Sequence, residues 1–444
     1  MSSSGGSYDL TEEYVAAEKI LAGGMESKEA TIRGWLHSRR SGGGILFLLI
    51  RDGSGIIQCT AKKDQLPDRL FKELEELPRE STLELSGVVR RDIRSPRGFE
   101  LTLHDAKIFH RPSEEFPIAM KKHGPDFLLD HRHLWIRSQK MQMIMRARAE
   151  MLDAARTWLK SSGYTEAQMP TLITAACEGG STLFEVKYFD EKAYLTQSWQ
   201  LYAEAVISSL GRIYTVAPSF RAEKSKTRRH LTEYWHLEVE APWTDLEGIM
   251  KVQEELLTAV CHRLSQTAEH ELRTLGRDPE YLRSVGPPFP RLRYDKAIDI
   301  LREEGLDVDW GVDFGYREER KLAIRFKEPF FVTHFPKGVK AFYHMPDPSK
   351  PEVTLSADLL APEGYGEITG GGQRIHDLDQ LLQRVKEEHL DPTAYKWYID
   401  LRRYGTVPHS GFGMGVERTL SWLCKLRHIR DAIPFPRLIN RIYP

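Results

Sequence analysis

Apolar and polar positions alternate in short runs along the first part of the chain, the pattern of half-buried β-strands. Gly-, Pro- or charge-rich breaks separate the runs, which cover residues 31–39, 45–51, 55–60, 81–91 and 99–108. A helix-like segment, 68–76, lies between the third run and the fourth. Five strands with one intervening helix predict an OB-fold β-barrel.

Helical spacing replaces this alternation in the next part of the chain. Apolar residues from Met141 to Trp158 recur at every third or fourth position, and Gly163 stands where the helix would end. Beyond them, short strand-like runs alternate with helical segments and cover 193–196, 212–216, 235–241, 329–333, 339–343 and 354–360. Short runs joined by brief turns favour an antiparallel sheet flanked by helices over a doubly wound parallel sheet.

These patterns predict an α+β chain of several segments. A polar, flexible N-terminal extension covers residues 1–29, and the barrel covers residues 30–110. A Pro- and His-containing stretch over 111–137 is interpreted as a hinge, and the larger domain occupies 138–444. The sequence contains no P-loop and no Rossmann glycine fingerprint, which argues against P-loop kinases.

Composition changes this picture little. The 444 residues have an apolar share of 41%, enough for a large core. Lys and Arg (63) nearly balance Asp and Glu (64), so any contact with nucleic acid must come from a local basic patch. The four cysteines lie far apart, without zinc or disulfide spacing, and no apolar run reaches the length of a membrane span. We therefore expect a reduced, cytoplasmic setting and no membrane partner.

Two distant segments carry candidate chemistry. Gly411, Gly413 and Gly415 alternate just before Arg418, so the backbone there can approach a ligand without interference from Cβ atoms. Tight packing of a glycine strand against a helix explains this run equally well when it is taken alone. Far upstream, Arg221 lies in a Phe-Arg-x-Glu segment that a polar run follows. Together the two segments suit a site that holds a nucleoside triphosphate from two sides.

The two segments resemble motifs 3 and 2 of the class II aminoacyl-tRNA synthetases. The segment from Gly163 to Leu172 resembles motif 1, whose helix and strand form the dimer interface in that family. Pro170 matches the proline of motif 1, so the resemblance implies an isologous homodimer. In the predicted barrel, Gly34-Trp35 and the run 51–58 resemble the anticodon-binding barrel of the class IIb enzymes, those for Asp, Asn and Lys. The resemblance covers residues 30–444.

The resemblance implies ATP-dependent activation of an amino acid, followed by its transfer to tRNA. Activation brings a carboxylate to the α-phosphate of ATP, so cations and Mg²⁺ must neutralise the charge, and no general base is needed. By resemblance, Arg221 contacts the α-phosphate and the substrate carboxylate, while Arg418 clamps the γ-phosphate. Asp358 and Glu367 match the carboxylate pair that binds magnesium. The catalytic positions are thus Arg221, Glu367 and Arg418, and the ATP-binding positions are Arg221, Glu223, His230, Tyr234, Glu367, Gly415 and Arg418.

The amino-acid pocket resembles the asparagine branch of this family. Ala203 stands where aspartate enzymes carry a lysine, and Glu238 stands where they usually carry an aspartate. A side-chain carboxamide is complementary to this pair, because Glu238 can accept from its N–H and Arg374 can donate to its carbonyl. The resemblance therefore implies L-asparagine and tRNA(Asn) as substrates. The matching amino-acid-binding positions are Glu178, Ser198, Gln200, Glu238, Arg374 and Gly413. The matching anticodon-binding positions are Arg40, Phe47, Gln58 and Glu100.

Alternatives to this interpretation stay open at the level of sequence. An aspartate enzyme, including one that charges both tRNAs, is the main alternative. A paralogue with an altered substrate is another, because Trp199 stands where the family has a small residue and Gly372 replaces its usual serine. A stand-alone amide ligase on the same fold would lack the barrel, and a pure RNA-binding module would need neither Glu367 nor Arg418.

Overall fold

The computed structural model describes residues 13–177, 182–225 and 227–444. The described residues divide into two compact units, the first ending at Trp135 and the second covering Ile136–Pro444. Among the described residues, no helix combines the length and the apolarity needed to cross a membrane.

The first unit contains a closed five-stranded barrel. Its strands are β1 (Glu29–Gly42), β2 (Ile45–Arg51), β3 (Ile56–Lys62), β4 (Thr82–Arg91) and β5 (Phe99–His110), hydrogen-bonded in the order β1-β2-β3-β5-β4. Alternate residues such as Ile32, Leu48 and Leu101 point into the barrel and are fully buried. The barrel confirms the OB-fold prediction, because the alternating pattern set both the strands and their inward faces.

The first unit also contains helices. Helix α1 (Ala17–Leu21) buries Ala17, Ile20 and Leu21 in the barrel core. The structure therefore differs from the expected flexible extension over residues 1–29, because these three positions form one apolar helical face. Residues 1–12 lie outside the described residues. Three further helices are α2 (Asp68–Glu75), α3 (Pro125–Asp130) and α4 (Arg132–Trp135), the last two within the stretch interpreted as a hinge.

An eight-stranded sheet forms the centre of the second unit. The strands of this unit are β6 (Thr165–Glu166), β7 (Leu172–Ile173), β8 (Glu185–Tyr188), β9 (Glu191–Leu195), β10 (Ile213–Phe220), β11 (Glu233–Pro242), β12 (Arg291–Arg293), β13 (Phe330–Thr333), β14 (Pro346–Asp347), β15 (Lys350–Thr354), β16 (Ser356–Ala361), β17 (Gly366–Gln373) and β18 (His409–Gly415). The large sheet has the order β12-β13-β16-β17-β18-β11-β10-β6. Its inner pairs are antiparallel, as predicted, and its two outermost pairs are parallel.

Helices flank this sheet. They are α5 (Gln139–Ser161), α6 (Gln200–Leu210), α7 (Leu246–Thr267), α8 (Glu269–Leu275), α9 (Pro279–Arg283), α10 (Tyr294–Glu303), α11 (Tyr316–Arg325), α12 (Leu378–Glu387), α13 (Lys396–Arg403) and α14 (Val416–Leu423). Helix α5 is the predicted apolar helix, and Ser138 caps its start by accepting a hydrogen bond from the Met141 N–H at 3.3 Å. Gly163 follows its end with a φ of 81°, a conformation that favours glycine.

The strand predicted over 339–343 is wrong. These residues form turns between β13 and β14 instead. Phe342 and Tyr343 are buried against Tyr395 and Tyr398, so their apolar character reflects packing in a loop rather than pairing in a sheet.

Candidate active site

Glycine backbone forms the floor of a deep cavity on the central strands. Gly370 of β17 lies opposite Gly413 of β18, which in turn lies opposite Glu238 of β11. At Gly411, an added Cβ would overlap the Glu240 carboxylate. Glycine is therefore required at position 411 for this acidic side chain to lie against the sheet.

The cavity has a volume of about 390 Å³. It brings together the larger part of the amino-acid, ATP and metal positions predicted from the sequence, namely Ser198, Gln200, Arg221, Glu238, Asp358, Glu367, Arg374 and Gly413. Ala203, Glu240, Asp313 and Lys340 line it as well. One concave site thus contains predicted amino-acid positions together with Arg221 and Glu367 of the predicted phosphate site, whereas Arg418 is not among its described lining residues.

The two side chains predicted to read a carboxamide both line the cavity. Glu238 is buried and accepts hydrogen bonds from the Ser198 hydroxyl at 2.6 Å and from the Trp199 backbone N–H at 2.7 Å. Arg374 is also buried, and its Nε and Nη2 each donate to the Glu240 carboxylate at 3.1 Å. Glu240 therefore fixes the orientation of the guanidinium through a two-point ion pair.

A second buried carboxylate fixes Gln200. Glu204 accepts hydrogen bonds from Gln200 Nε2 at 3.0 Å, from the Tyr398 hydroxyl at 2.8 Å and from His409 Nε2 at 2.9 Å. It also pairs with Arg402 at 2.5 Å. Burial alone would raise the pKa of Glu204, but Arg402 and His409 hold this pKa below its usual value. The carboxylate is therefore charged at neutral pH and anchors the start of α6.

Glu204, Glu240 and His409 place ligand atoms within 4.8 Å of one another, a spacing that a metal ion could use. Arg402 and Arg374 already pair with the two carboxylates. We therefore interpret this cluster as a buried ion-pair network and not as a metal centre.

Two cationic side chains pair with the carboxylates of Glu367 and Asp358, which line the cavity. The Arg418 Nη1 donates to Glu367 Oε2 at 2.7 Å, and Lys340 Nζ donates to Asp358 Oδ2 at 2.6 Å. Although burial favours the neutral acid, Arg418 and Lys340 hold the pKa of Glu367 below its usual value. Burial raises the pKa of Asp358, and the nearby charge of Glu367 adds to this rise while Lys340 opposes it.

The remaining nucleotide positions lie around Arg418. This residue belongs to the first turn of α14, which Gly415 precedes as the N-cap residue, and it borders a second cavity of about 170 Å³. His230 is hydrogen-bonded to the hydroxyls of Ser225, at 3.1 Å, and Thr227. Burial and the charge of Arg418 lower the pKa of His230 to about 4, so the ring is neutral at pH 7.

Two predicted nucleotide contacts are less enclosed. The Tyr234 ring makes an edge contact with the ring of His236, whose side chain lines the main cavity, at a centroid distance of 4.8 Å. Glu223 is exposed and lies outside the residues that line the main cavity. The structure thus brings Tyr234 to the edge of the site and leaves Glu223 at the surface.

Asp358 and Glu367 fit a hard divalent cation. They lie on the paired strands β16 and β17, and a Cβ added at Gly370 would be 3.1 Å from Glu367 Oε1 and 3.4 Å from Asp358 Oδ1. Asp358 Oδ1 is buried and has no hydrogen-bond partner among the described residues. A buried carboxylate oxygen without a partner, beside a second carboxylate, is a donor set that Mg²⁺ accepts.

Comparison with known proteins identifies the family. Residues 124–439 match the class II tRNA synthetases for D, K and N, and residues 30–109 match the OB-fold nucleic acid binding domain. The asparagine–tRNA ligase of Desulforamulus reducens is 48% identical and aligns over 94% of this chain and 97% of its own length. The chain belongs to the asparagine–tRNA ligase family. The ligase of Pyrococcus abyssi is 49% identical over 95% of this chain and 97% of its own length.

A solved structure agrees with this assignment to the asparagine–tRNA ligase family. The asparaginyl-tRNA synthetase from Pyrococcus horikoshii, solved with asparaginyl-adenylate, is 47% identical and superposes with a TM-score of 0.93. The match covers 97% of this chain and 100% of the other. The fold class and the enzyme class predicted from the sequence, an aminoacyl-tRNA ligase, are therefore confirmed.

The two departures from the pattern of the asparagine–tRNA ligase family leave the pocket intact. Trp199 is only 3% exposed, packs against Met169, Ala203 and Ile207, and donates from its indole nitrogen to the Pro218 carbonyl at 3.3 Å. Its ring is not among the described side chains that line the cavity. At Gly372, an added Cβ would lie 2.5 Å from the Leu355 carbonyl oxygen, so the local backbone requires glycine.

The predicted anticodon residues of this asparagine–tRNA ligase family member share one outer face of the barrel. Phe47 is half-buried, and the Arg40 guanidinium lies 4.5 Å from the centre of its ring. Gln58 donates to Glu100 at 2.8 Å, and the two are register partners on β3 and β5. Because β2 lies between β1 and β3, the four side chains are neighbours on this face, which we call the aromatic face; Arg40 is exposed and Phe47 half-buried, whereas Gln58 and Glu100 are buried.

Several residues of the site, among them Glu240, Asp313 and Lys340, were not singled out in the sequence. Glu240 lies two positions after Glu238 on β11, and period-two spacing could have placed both on the same face. Asp313 and Lys340 lie in loops and carry no motif. Of the predicted positions, Glu178 lies outside the described residues, together with its neighbour Gly179.

Proposed function

We propose that this chain activates L-asparagine with ATP, releases pyrophosphate and transfers the asparaginyl group to the 3′ end of tRNA(Asn), with release of AMP. The observation that carries the proposal is the joint lining of one cavity by Glu238 and Arg374, which suit a side-chain amide, and by Arg221 and Glu367, which suit a phosphate and its metal. This shared lining allows an amino acid and a nucleotide phosphate to meet within a single site.

Asparagine is the amino acid that this pocket suits best. Arg374 Nη1 is not used in the ion pair with Glu240, so it can donate to a side-chain carbonyl. Each oxygen of Glu238 accepts one bond and keeps a second lone pair for an amide N–H. The carboxylate of aspartate would face the negative charge of Glu238, and Ala203 offers no cation to offset it.

The phosphate end supports in-line attack of the substrate carboxylate on the α-phosphate. In our proposal, Arg221 neutralises the carboxylate and the α-phosphate, and Arg418 holds the outer phosphates. Tyr234 stacks on the base, and Glu223 and His230 contact the nucleotide. Ser198, Gln200 and Gly413 position the amino acid, and the Glu178 segment closes over its amino group.

Asp358 and Glu367 would hold Mg²⁺. When bound, the metal supplies positive charge that stabilises the developing pyrophosphate. The protein side chains orient the phosphates and exclude water from the cavity, which favours charge neutralisation in the transition state.

Binding of tRNA and dimer formation complete the proposal. The aromatic face would stack and hydrogen-bond the anticodon, since aromatic side chains on a barrel surface are typical single-strand binders. Pro170 is exposed and would lie at the interface of a homodimer. The four cysteines are free and buried, which supports a reduced cytoplasmic setting.

Amino-acid-dependent ATP–pyrophosphate exchange tests this proposal. With magnesium present, we expect asparagine to support exchange at least about 100-fold better than aspartate, because a site that pairs with an amide leaves buried groups unmatched by a carboxylate. Arg418→Ala is the negative control, since it removes a guanidinium from the phosphate end. Comparable exchange with aspartate would contradict asparagine specificity and would favour an aspartate enzyme that charges both tRNAs.

A further inference from the structure

A lysine lies among the acidic groups of the cavity. Lys340 belongs to the loop between β13 and β14, and its side chain is only 15% exposed. Its Nζ lies 2.6 Å from Asp358 Oδ2 and 4.1 Å from the centre of the Phe335 ring. Asp313 and Glu367 line the same cavity, and their charges act on this ammonium group.

The ammonium group of Lys340 lies beside two neighbouring carboxylates, those of Asp358 and Glu367, which a cation would stabilise. Carboxylates of Asp358 and Glu367 face each other across the bare backbone of Gly370, and one oxygen of Asp358 lacks a partner among the described residues. Two carboxylates in a buried site repel each other unless a positive charge lies between or beside them. Lys340 supplies that charge at Asp358, as Arg418 does at Glu367.

Either a lysine or a magnesium ion can offset the repulsion between these two carboxylates. Both satisfy carboxylate oxygens, and two cations on one carboxylate repel each other strongly in a buried site. Bound ATP would reduce the repulsion between the two cations, because its phosphates bring several negative charges and additional oxygen ligands. With nucleotide present, the site has enough negative charge for both cations.

We propose that Lys340 is a built-in counter-ion that occupies the cation position beside Asp358 and keeps free Mg²⁺ out of the carboxylate pair until nucleotide phosphates arrive. The inference rests on the proposed metal role of Asp358 and Glu367. Lys340 is then a positioning residue, which makes metal and nucleotide bind together rather than in sequence.

A purely structural role for Lys340 would look different. Lys337, three positions earlier in the same loop, is such a case: it pairs with Glu387 on α12 at 3.0 Å, and both side chains are 32% exposed. Lys337 is not among the described residues that line the cavity, whereas Gly338, Val339 and Lys340 are. The Lys337 ion pair can anchor the loop, which leaves Lys340 for the interior of the site.

Direct binding of Mn²⁺, followed by electron paramagnetic resonance of the free ion, tests the proposal on the full chain without nucleotide. Lys340→Met removes the ammonium group and keeps much of the side-chain volume. We expect it to bind one Mn²⁺ per chain at least tenfold more tightly than the unmodified chain, and Lys337→Met to bind like the unmodified chain. Adding Asp358→Asn to Lys340→Met should abolish the gain.

Unchanged or weaker Mn²⁺ binding by Lys340→Met would overturn the proposal. Lys340→Gln serves as a second neutral variant if Met lowers stability, and it should show the same gain. Lys340→Arg retains the positive charge and should exclude free Mn²⁺ as the native lysine does. Tight binding of free Mn²⁺ by this arginine variant would also count against the counter-ion role.

A second arm separates this proposal from the metal role on which it rests. The same titration with a non-hydrolysable ATP analogue should give Mn²⁺ binding to the unmodified chain, and Asp358→Asn should weaken it. If Asp358→Asn has no effect, the proposed metal role itself fails. If it weakens binding while Lys340→Met gains nothing without nucleotide, the counter-ion role alone fails.

Discussion

Trp199 acts on the pocket through its backbone and on stability through its side chain. Its N–H donates to Glu238, a bond that any residue except proline would make. Its ring fills a core cluster with Met169 and Ile207. The substitution that looked most disruptive in the sequence is therefore a packing feature next to the pocket.

Trp199→Gly should destabilise the chain without improving its use of asparagine. Loss of a buried tryptophan ring costs about 3–5 kcal/mol. The hydrogen bond to Glu238 survives in the glycine variant, so asparagine-dependent exchange per folded molecule should stay within about threefold of the native value. Urea unfolding gives the first quantity, and exchange normalised to titrated active sites gives the second. A large gain in exchange would mean that the native pocket is not tuned for asparagine.

Sequence reasoning at the residue scale found the side chains that belong to motifs and missed those that act through pairing. Arg221, Glu367 and Arg418 were found because their neighbours form recognisable patterns. Glu240 and Lys340 were missed because each acquires its role from a distant partner, as Glu240 does from Arg374. Such pairs become visible only when the three-dimensional structure is known.

At the scale of elements, the bare backbone of β18 at Gly411 lets the Glu240 carboxylate lie directly against the sheet. Gly411 lies opposite Glu240 in the sheet, with the Val239 carbonyl also close to the place of a Cβ. A methyl group here would overlap both the Glu240 carboxylate and the Val239 carbonyl oxygen, so the Glu240 side chain and the adjoining backbone of β11 must both move. Movement of Glu240 releases the guanidinium of Arg374.

Gly411→Ala should therefore raise the KM for asparagine at least about tenfold, the effect of losing roughly 1.4 kcal/mol of binding. The KM for ATP should change much less, since neither Glu240 nor Arg374 is among the residues proposed to bind the nucleotide. Gly286→Ala is the matched control, because a Cβ there meets no atom within 4 Å. Equal rises in both KM values would show that the sheet, and not the Arg374 ion pair, has been disturbed.

Helices and strands were predicted correctly where the burial of one face leaves a regular hydrophobic pattern in the sequence. Strands β1 and β2 were predicted closely because one face of each is buried and the other is more exposed, so apolar and polar residues alternate in the sequence. Strand β17 was not predicted, since Gly370, Gly371 and Gly372 carry no hydrophobic pattern. The stretch 339–343 was mistaken for a strand because buried loop residues are as apolar as strand residues.

At the scale of the whole molecule, the two units divide the reaction into parts that can be measured separately. Every described residue assigned to asparagine or ATP lies after Ile136, whereas the aromatic face lies in the first unit. Pyrophosphate exchange requires only activation, and tRNA charging requires both activation and tRNA binding. A change on the aromatic face should thus separate the two activities.

Phe47→Ala is the substitution that should separate them. Stacking of a base on an aromatic side chain contributes about 1–3 kcal/mol, so kcat/KM for tRNA(Asn) should fall roughly 5- to 150-fold. Exchange with asparagine should stay within about twofold of the native rate, since the cavity is untouched. Steady-state charging and exchange on the same preparation provide the comparison.

Phe109→Ala controls for the loss of any aromatic ring from the barrel. Phe109 is also half-buried and lies beside a cation, Lys107 at 5.4 Å, but near the far end of β5 from Glu100. We expect charging by this variant to remain close to native. If both variants lose charging equally, the defect reflects barrel stability and not base stacking. If Phe47→Ala lowers exchange as much as charging, the barrel supports the catalytic unit itself and the two activities are not separable in this chain.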